Sequence, residues 1–191
     1  MKLKIYNENL TICGCDEAGR GALAGPVFAA AVILPKNFQH PLLNDSKKVS
    51  KKNRLILKEF IQKNCICFGV GKISPKKIDQ INILNSSIGA MHKAIRKIVK
   101  KIDLILVDGN KFKKYKNLKH KCIIKGDGKY ISIASASILA KTYRDDYMNK
   151  LHGKSPVFNW RKNKGYPTKE HKKEIKKHGL TIYHRHTFKS S

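Results

Sequence analysis

The sequence predicts an α/β domain, since short apolar runs alternate along the chain with longer segments of helical periodicity. Two further observations fit this prediction. Of the 191 residues, 41% are hydrophobic, enough for a sizeable core, and no segment rich in Pro, Ser or Gly divides the chain. We therefore expect a single domain over residues 1–191, in which residues 151–191 form a polar and basic C-terminal segment.

Five apolar runs are predicted to be β-strands. A glycine-rich turn joins the first two runs, and acidic residues follow the first, fourth and fifth. The fourth and fifth runs are predicted to be buried strands, because their apolar residues are continuous rather than alternating. The predicted ranges are 10–15, 27–34, 65–70, 102–107 and 122–124.

Four segments are predicted to be helices. Residues 50–64 form a basic helix, and Ser74-Pro75 is a typical helix start, with a capping hydroxyl before a proline. Residues 132–150 contain small side chains that allow close packing on a sheet, and residues 168–178 form a final helix that ends at Gly179. After Ser74 one apolar stripe indicates a core-facing helix: Leu84, Ile88, Met91, Ile95 and Ile98.

The charge balance favours a polyanionic partner. Lys and Arg number 41 against 13 Asp and Glu, which gives a formal net charge of +28. Counterion release favours binding of so basic a protein to nucleic acid. Lysines scattered over solvated faces are an alternative explanation. A membrane surface is a weaker competitor, because no Lys-rich amphipathic anchor stands out.

Cysteine spacing and hydropathy indicate the compartment. No apolar run reaches ~18 residues, and the N-terminus lacks the apolar region of a signal peptide, so we expect a soluble cytoplasmic protein. The five cysteines follow neither a disulfide framework nor the usual zinc spacing, and we expect buried reduced thiols. They are Cys13, Cys15, Cys65, Cys67 and Cys122.

Acidic residues at predicted strand ends are the candidate catalytic groups. Asp16 and Glu17, Asp108, and Asp127 each follow an apolar run, so an α/β sheet could bring them together. Converging carboxylates repel one another unless cations neutralise them, and oxygen-only ligands suit Mg²⁺ or Mn²⁺. Two such ions can promote phosphoryl transfer to water. Three other acids are expected only to pair with bases or cap helices: Asp103, Asp145 and Asp146.

The turn after the acidic pair is a candidate substrate-binding element. Gly19 and Gly21 lack the Cβ atoms that would keep a ligand from the backbone, so their N–H groups can approach a phosphate or a sugar hydroxyl. Arg20 adds a forked hydrogen-bond donor between them. A glycine-arginine-glycine turn is a weak signal alone, but here it adjoins two carboxylates.

A series of motifs resembles the ribonuclease HII family over nearly the whole chain. Asp-Glu-Ala-Gly-Arg-Gly at residues 16–21 resembles that family's opening motif. Further matching segments follow in order at residues 23–27, 43–48, 78–83, 107–110, 125–127, 135–141 and 163–166, with Arg144, Asp145, Thr168 and His171. Ser135 stands where the family usually has Ala, but this difference affects none of the expected metal ligands.

The resemblance implies a ribonuclease H-like fold, with a five-stranded mixed sheet flanked by helices and a helical C-terminal segment beside the active site. It implies cleavage of RNA/DNA hybrids, and of duplex DNA on the 5′ side of an embedded ribonucleotide, leaving 3′-hydroxyl and 5′-phosphate ends. Two divalent ions, Mg²⁺ or Mn²⁺, would assist catalysis. The family's four metal-binding acids match Asp16, Glu17, Asp108 and Asp127.

The family's substrate-binding residues match Gly19, Arg20 and Gly21, expected at the ribose 2′-OH and neighbouring phosphates, and Tyr166, expected to stack on the following deoxyribose. Because the 2′-OH is what marks RNA in a duplex, a site that hydrogen-bonds it can detect one ribonucleotide in DNA.

Several expectations are less specific. Lys47 and Lys48 could hold phosphates or be solvated bases, and His171 and His184 are expected at the surface. We expect a monomer. A ribonuclease HIII-like nuclease is the nearest alternative, but its N-terminal module has no counterpart before Asp16. A non-catalytic basic nucleic-acid-binding protein would explain the charge and leave the four carboxylates without a use.

Overall fold

The computed structural model describes residues 3–46 and 48–189. Five strands occur in these residues, β1 (Ile12–Ala18), β2 (Val27–Ile33), β3 (Cys67–Ile73), β4 (Leu104–Asp108) and β5 (Lys119–Ile123). The α-helices are α1 (Lys51–Asn64), α2 (Pro75–Ile95), α3 (Ile131–His152), α4 (Trp160–Asn163) and α5 (Lys169–His178). Short 3₁₀ turns lie at Gly126–Gly128 and Pro156–Phe158.

The five strands form one mixed sheet in the order β3-β2-β1-β4-β5. β2 runs antiparallel to both β1 and β3, whereas β4 runs parallel to β1 and to β5. The C-terminal ends of β1, β3, β4 and β5 therefore lie at the same end of the sheet. We call this the carboxyl end of the sheet.

Helices cover both faces of the sheet. Cys13 and Cys15 of β1 face α2 in one buried cluster, together with Met91 and Ala94. The opposite face of the sheet packs against α1 and α3 in a second cluster that includes Leu57. These two layers confirm the predicted α/β architecture, a mixed sheet flanked by helices. Within the described residues, no helix is long and apolar enough to span a bilayer.

Glycines let the helices approach the sheet closely. A Cβ at Gly14 of β1 would lie 2.3 Å from the backbone carbon of Ser132 in α3. A Cβ at Gly71 of β3 would lie 2.2 Å from the carbonyl oxygen of Ala90 in α2. Since real side chains do not tolerate such distances, these positions fix how near α2 and α3 come to the sheet.

Helix α2 is interrupted at Asn82, whose backbone is left-handed (φ 63°). The Asn82 side chain accepts a hydrogen bond from the Asn85 N–H at 3.0 Å and so caps the second half of the helix. Before the break, Asp79 accepts hydrogen bonds from the N–H groups of His186 and Thr187, both at 3.0 Å. The first half of α2 thus holds the C-terminal segment.

Most helices begin where the sequence predicts. Ser50, Ser74 and Thr168 each cap a helix by accepting a hydrogen bond from the N–H three residues later, and α5 ends at Gly179. Ile98 lies beyond the end of α2, so the predicted apolar stripe was one position too long.

The strand boundaries differ more from the prediction. β1 extends through Asp16 and Glu17 rather than ending before them, because its pairing with β2 continues to Ala18. The predicted fifth strand was wrong in two respects: β5 begins earlier, at Lys119, and it is a partly exposed edge strand rather than a buried one. Of the five cysteines, all free, Cys13 and Cys15 are buried while the other three are half-buried.

Replacing Gly14 with alanine should destabilise the protein by about 2 to 3 kcal/mol, because the added methyl group must push α3 away from β1. Urea denaturation measures this directly. Gly89→Ala is the matched control: its Cβ would lie 3.8 Å from the nearest atom, in the interior of α2, so stability should stay constant or rise. Equal unfolding midpoints for both variants would contradict the packing described here.

Candidate active site

Three of the four predicted acids line one cavity at the carboxyl end of the sheet. Asp16, Glu17 and Asp108 share this cavity of about 360 Å³ with the turn after β1 and with Tyr166. The parallel pairing of β1 with β4 explains their meeting, because Cys15 lies beside Val107 and the acids come next on each strand. We call this space the carboxylate cavity.

Asp16 is an unfavourable place for a negative charge. It is 5% exposed, and burial raises its pKa well above the usual range, with the charges of Glu17 and Asp108 adding to the shift. The N–H of Glu17 donates to Asp16 Oδ1 at 2.6 Å, and a hydrogen bond with Ser137 also favours the ionised form. Ser137 in turn exchanges a hydrogen bond with Ser46 at 2.8 Å.

Glu17 is also an unfavourable place for a negative charge, but less so than Asp16. Burial raises its pKa, while the guanidinium of Arg20 opposes the rise. Arg20 Nη1 lies 3.3 Å from Glu17 Oε1, and the Arg20 side chain is 52% exposed. Arg20 is therefore available to a ligand at the mouth of the carboxylate cavity.

Asp127 lies next to the carboxylate cavity rather than among its lining residues. Asp108 Oδ1 accepts a hydrogen bond from the Gly126 N–H at 2.7 Å, and Asp127 follows in the same 3₁₀ turn, 5% exposed. In residues 3–46 and 48–189, no three His, Cys, Asp or Glu side chains are already gathered closely enough to hold an ion. Three acids therefore line one cavity without being close enough to enclose an ion, and the fourth acid lies one residue from the backbone N–H that binds Asp108.

The donor set suits a hard divalent cation. The side chains facing the carboxylate cavity offer carboxylate and hydroxyl oxygens, which Mg²⁺ and Mn²⁺ prefer. A cation there would offset the burial and the repulsion that together raise the pKa of Asp16. Lys141 also lines the cavity, and its ammonium group pairs with Asp145 at 2.5 Å. Sequence reasoning gave Lys141 no role, although it lies within one of the matching motifs.

Two buried arginines shape the glycine-arginine turn. Arg144 donates hydrogen bonds to the carbonyl oxygens of Pro26, Lys164 and Ala24, at 2.9 to 3.1 Å. A Cβ at Gly19 would lie 1.9 Å from Arg144 Nε, so a protein side chain rather than a ligand occupies the space that Gly19 leaves. At Gly21, in contrast, nothing lies within 4 Å of the Cβ position.

Arg185 reaches the same turn from the C-terminal segment. Its guanidinium donates to the carbonyl oxygens of Gly19, Arg20 and Gly25, at 2.7 to 3.0 Å. Burial lowers the pKa of Arg185 to about 9, and the charge of Arg144 adds to the effect. Because Arg185 fixes carbonyls on the inner side of the turn, it also fixes the direction of the neighbouring N–H groups. Sequence reasoning missed this residue.

Tyr166 is held at the carboxylate cavity from two sides. The Cζ atom of Arg144 lies 5.1 Å from the centroid of its ring. The Tyr166 carbonyl accepts a hydrogen bond from Nδ1 of His171 at 3.0 Å. Tyr166 and Arg20 therefore line the same cavity as Asp16, Glu17 and Asp108.

His171 and His184 were wrongly expected at the surface. They are 0% and 1% exposed, and their Nε2 atoms lie 3.3 Å apart. Nε2 of His171 also accepts a hydrogen bond from the Trp160 indole at 3.0 Å, so His184 is the donor between the two rings. Nδ1 of His184 accepts from Thr181 at 3.0 Å. Both rings are therefore neutral, and together they support the Tyr166 loop.

The lysine predictions gain no support. Lys47 lies outside the described residues. Lys48 is exposed and does not line the carboxylate cavity, although Ser46, two residues earlier, does. The acids predicted to form ordinary pairs do so: Asp146 contacts Lys58 at 2.7 Å, and Asp103 accepts a hydrogen bond from the Thr11 N–H at 2.9 Å.

This sheet order, with carboxylates on neighbouring parallel strands, defines a ribonuclease H-like protein. Comparison with known proteins narrows the class: residues 13–191 match the family described as ribonuclease HII. The ribonuclease HII of Christiangramia forsetii is 59% identical over 187 residues, covering 98% of this chain and 94% of that protein. The chain belongs to the ribonuclease HII family, endonucleases that hydrolyse RNA in RNA/DNA hybrids.

Solved structures agree with this assignment. The ribonuclease HII of Archaeoglobus fulgidus, solved in complex with PCNA, superimposes with a TM-score of 0.75 at 26% identity, covering 94% of this chain and 96% of that one. The ribonuclease H2 of Pyrococcus horikoshii gives a TM-score of 0.78 at 24% identity, with 95% of each chain covered, and shows the same fold. The non-catalytic alternative and the ribonuclease HIII-like alternative are set aside.

Acid should destabilise the protein through His184. Burial lowers the pKa of His184 to about 4, whereas in the unfolded chain it is about 6.5. The unfolded state therefore takes up a proton first, and stability is lost as the pH falls from about 6.5 towards 4. Between pH 6.5 and 5 this group should cost about 2 kcal/mol.

Urea denaturation across this pH interval tests the effect. The His184→Asn variant should lose about 2 kcal/mol less than the wild type over the interval. His120→Asn, on the edge strand β5, is the matched control for the substitution itself. A wild-type dependence in the His184 variant would show that this ring is not the one held neutral.

Proposed function

We propose that Asp16, Glu17, Asp108 and Asp127 hold the divalent ions with which this chain cleaves RNA/DNA hybrids and duplex DNA containing single ribonucleotides. The observation that carries the proposal is the buried carboxylate of Asp16, whose pKa is raised by burial and by two neighbouring acids in an open cavity. Such repulsion is tolerated at low cost only where a cation balances it.

The acids have different tasks in this proposal. Asp16 and Asp108, from neighbouring strands, would hold Mg²⁺ or Mn²⁺, and Glu17 and Asp127 would complete the set of ligands. The bound pair of ions supplies activation of a water molecule and stabilisation of the leaving oxygen in the in-line displacement. The products are a 3′-hydroxyl and a 5′-phosphate, with the cut on the 5′ side of the ribonucleotide.

Recognition of the ribonucleotide falls to the turn that the two arginines hold. Gly21 leaves its backbone open to a ligand, and the exposed guanidinium of Arg20 stands beside it. We assign the ribose 2′-OH to this turn, with Gly19 as its rigid base, and the following deoxyribose to the ring of Tyr166. A deoxynucleotide in the same place would leave the donors without a partner.

The C-terminal segment, residues 151–191, belongs to the same functional unit in this proposal. Its Arg185 binds the turn, its His171 binds the Tyr166 carbonyl, and Asp79 of α2 binds Thr187. We therefore treat residues 1–191 as one catalytic domain that acts as a monomer on nucleic acid in the cytoplasm, a setting that suits five free cysteines.

Asp108→Asn should abolish cleavage and leave nucleic-acid binding unchanged or tighter, since the variant loses a cation ligand and one negative charge. The assay uses a duplex with one embedded ribonucleotide, with Mg²⁺ or Mn²⁺ present. Asp103→Asn is the matched control at the other end of β4, where the carboxylate accepts the Thr11 N–H and lies 3.9 Å from the Lys101 ammonium group, and it should cleave normally. Near-normal turnover by the Asp108 variant would refute the assignment.

Arg20→Ala should reduce kcat/KM on a single embedded ribonucleotide by about tenfold to a hundredfold, the effect of one lost charge-assisted hydrogen bond. Lys36→Ala, an exposed base after β2 at the opposite end of the sheet, controls for the loss of one positive charge. Equal kinetics for the two variants would remove Arg20 from the recognition site.

A further inference from the structure

A second concave surface lies at the outer edge of the sheet, away from the carboxylate cavity. It has a volume of about 800 Å³ and runs along the edge strand β3 between the end of α2 and the side of α3. We call it the β3 groove. None of its lining residues has a part in the cleavage proposed above.

Positive charge converges on this groove from four different elements. Its basic lining residues are Lys58 of α1, Lys72 of β3, Lys93 of α2, Arg96 and Lys97 just after α2, and Lys150 of α3. Its one acidic lining residue, Asp146, is already paired with Lys58 at 2.7 Å. The groove therefore has a large excess of positive charge in a concave space, which distinguishes it from lysines scattered over a convex surface.

Aromatic rings hold two of these bases in place. The ammonium group of Lys72 lies 4.9 Å from the centroid of the Tyr147 ring, and that of Lys58 lies 4.8 Å from the Tyr143 ring. Because β3 is an edge strand, alternate backbone N–H groups along it also point away from the sheet. The groove thus presents fixed cations and backbone donors side by side.

Helix α3 separates the groove from the carboxylate cavity. Lys141 lines the cavity, while Tyr143 and Tyr147 line the groove. At about 100° per residue, these tyrosines lie on the opposite side of the helix from Lys141. The two sites are nevertheless at the same end of the sheet, since Ala18, beside Glu17, pairs with Phe28, which pairs with Lys72.

We propose that the β3 groove is a second nucleic-acid site, which binds the phosphate backbone of duplex DNA without regard to sequence or sugar. DNA carries one negative charge per ≈ 1.7 Å of its axis, denser than an acidic peptide, whose charges are at least one residue (~3.3 Å) apart. A groove with this many converging cations matches the denser polymer. The site would keep the enzyme on DNA that contains no ribonucleotide. This inference rests on the proposed function only in taking nucleic acid as the polymer that the groove binds.

The test measures binding of an all-DNA duplex without divalent ions at several salt concentrations. The groove variant carries Lys93→Gln, Arg96→Gln and Lys97→Gln, three exposed bases with no described ion pair. The control variant carries Lys36→Gln, Lys63→Gln and Lys119→Gln, three exposed bases that do not line the groove, with the same loss of charge.

The groove variant should show a salt dependence, as log K against log[salt], that is shallower by about 2 to 3, and at 0.15 M salt an affinity about tenfold to a hundredfold lower. Arg96→Gln alone should give about a third of the change in slope, which keeps the test valid if the triple variant folds poorly. The control variant should change the slope by less than half as much. At saturating substrate, kcat at an embedded ribonucleotide should be that of the wild type in both.

Equal salt slopes for the groove and control variants would overturn the proposal. So would a groove variant that binds DNA normally but has lost affinity for a poly-glutamate peptide, because the occupant would then be an acidic polypeptide. Failure of the proposed function is a separate result: a wild type that binds DNA through the groove but never cleaves would refute the cleavage proposal and leave this one standing.

Discussion

β1 and β4 lie side by side and run in the same direction, and this pairing decides where the carboxylates meet. Without it, Asp16 and Asp108 would be separated by ninety-odd residues of chain with no reason to share a cavity. The pairing also has an electrostatic cost, because it buries Asp16 beside two other acids and raises its pKa. A buried acid in an open cavity costs stability, and the proposed cation would offset that cost.

The turn beside the carboxylate cavity likewise combines an energetic cost, two buried arginines, with a functional use. Arg144 and Arg185 are both almost fully buried, and the hydrogen bonds described for their guanidinium groups go to backbone carbonyls. Each fixes loop backbone that would otherwise be mobile. His171 performs a similar task for Tyr166 through a neutral ring. In the proposed function the carboxylates supply the chemistry, while residues from distant parts of the chain fix the surfaces that would bind the substrate.

Local patterns made the elements and the acids predictable, since capping residues such as Ser74 and strand-end acids such as Asp108 have their effect within a few residues. The burial of His184 and Arg185 could not be read in this way. Both lie in a polar, basic stretch with no apolar periodicity, and they are buried because Trp160 and the glycine-arginine turn reach them from elsewhere in the chain. The extension of β1 through Asp16 likewise depends on pairing with β2, which no local pattern records.

The central claim is that the carboxylates at the end of β1 and β4 bind divalent cations, and thermal unfolding tests it most directly. A ligand that binds only the folded state stabilises it by RT ln(1 + [L]/Kd), so the melting temperature rises with the ligand concentration. The wild type should melt at rising temperature as Mn²⁺ is added, and Asp16→Asn should show little or no rise. Identical shifts in the two proteins, or no shift in the wild type, would contradict the account.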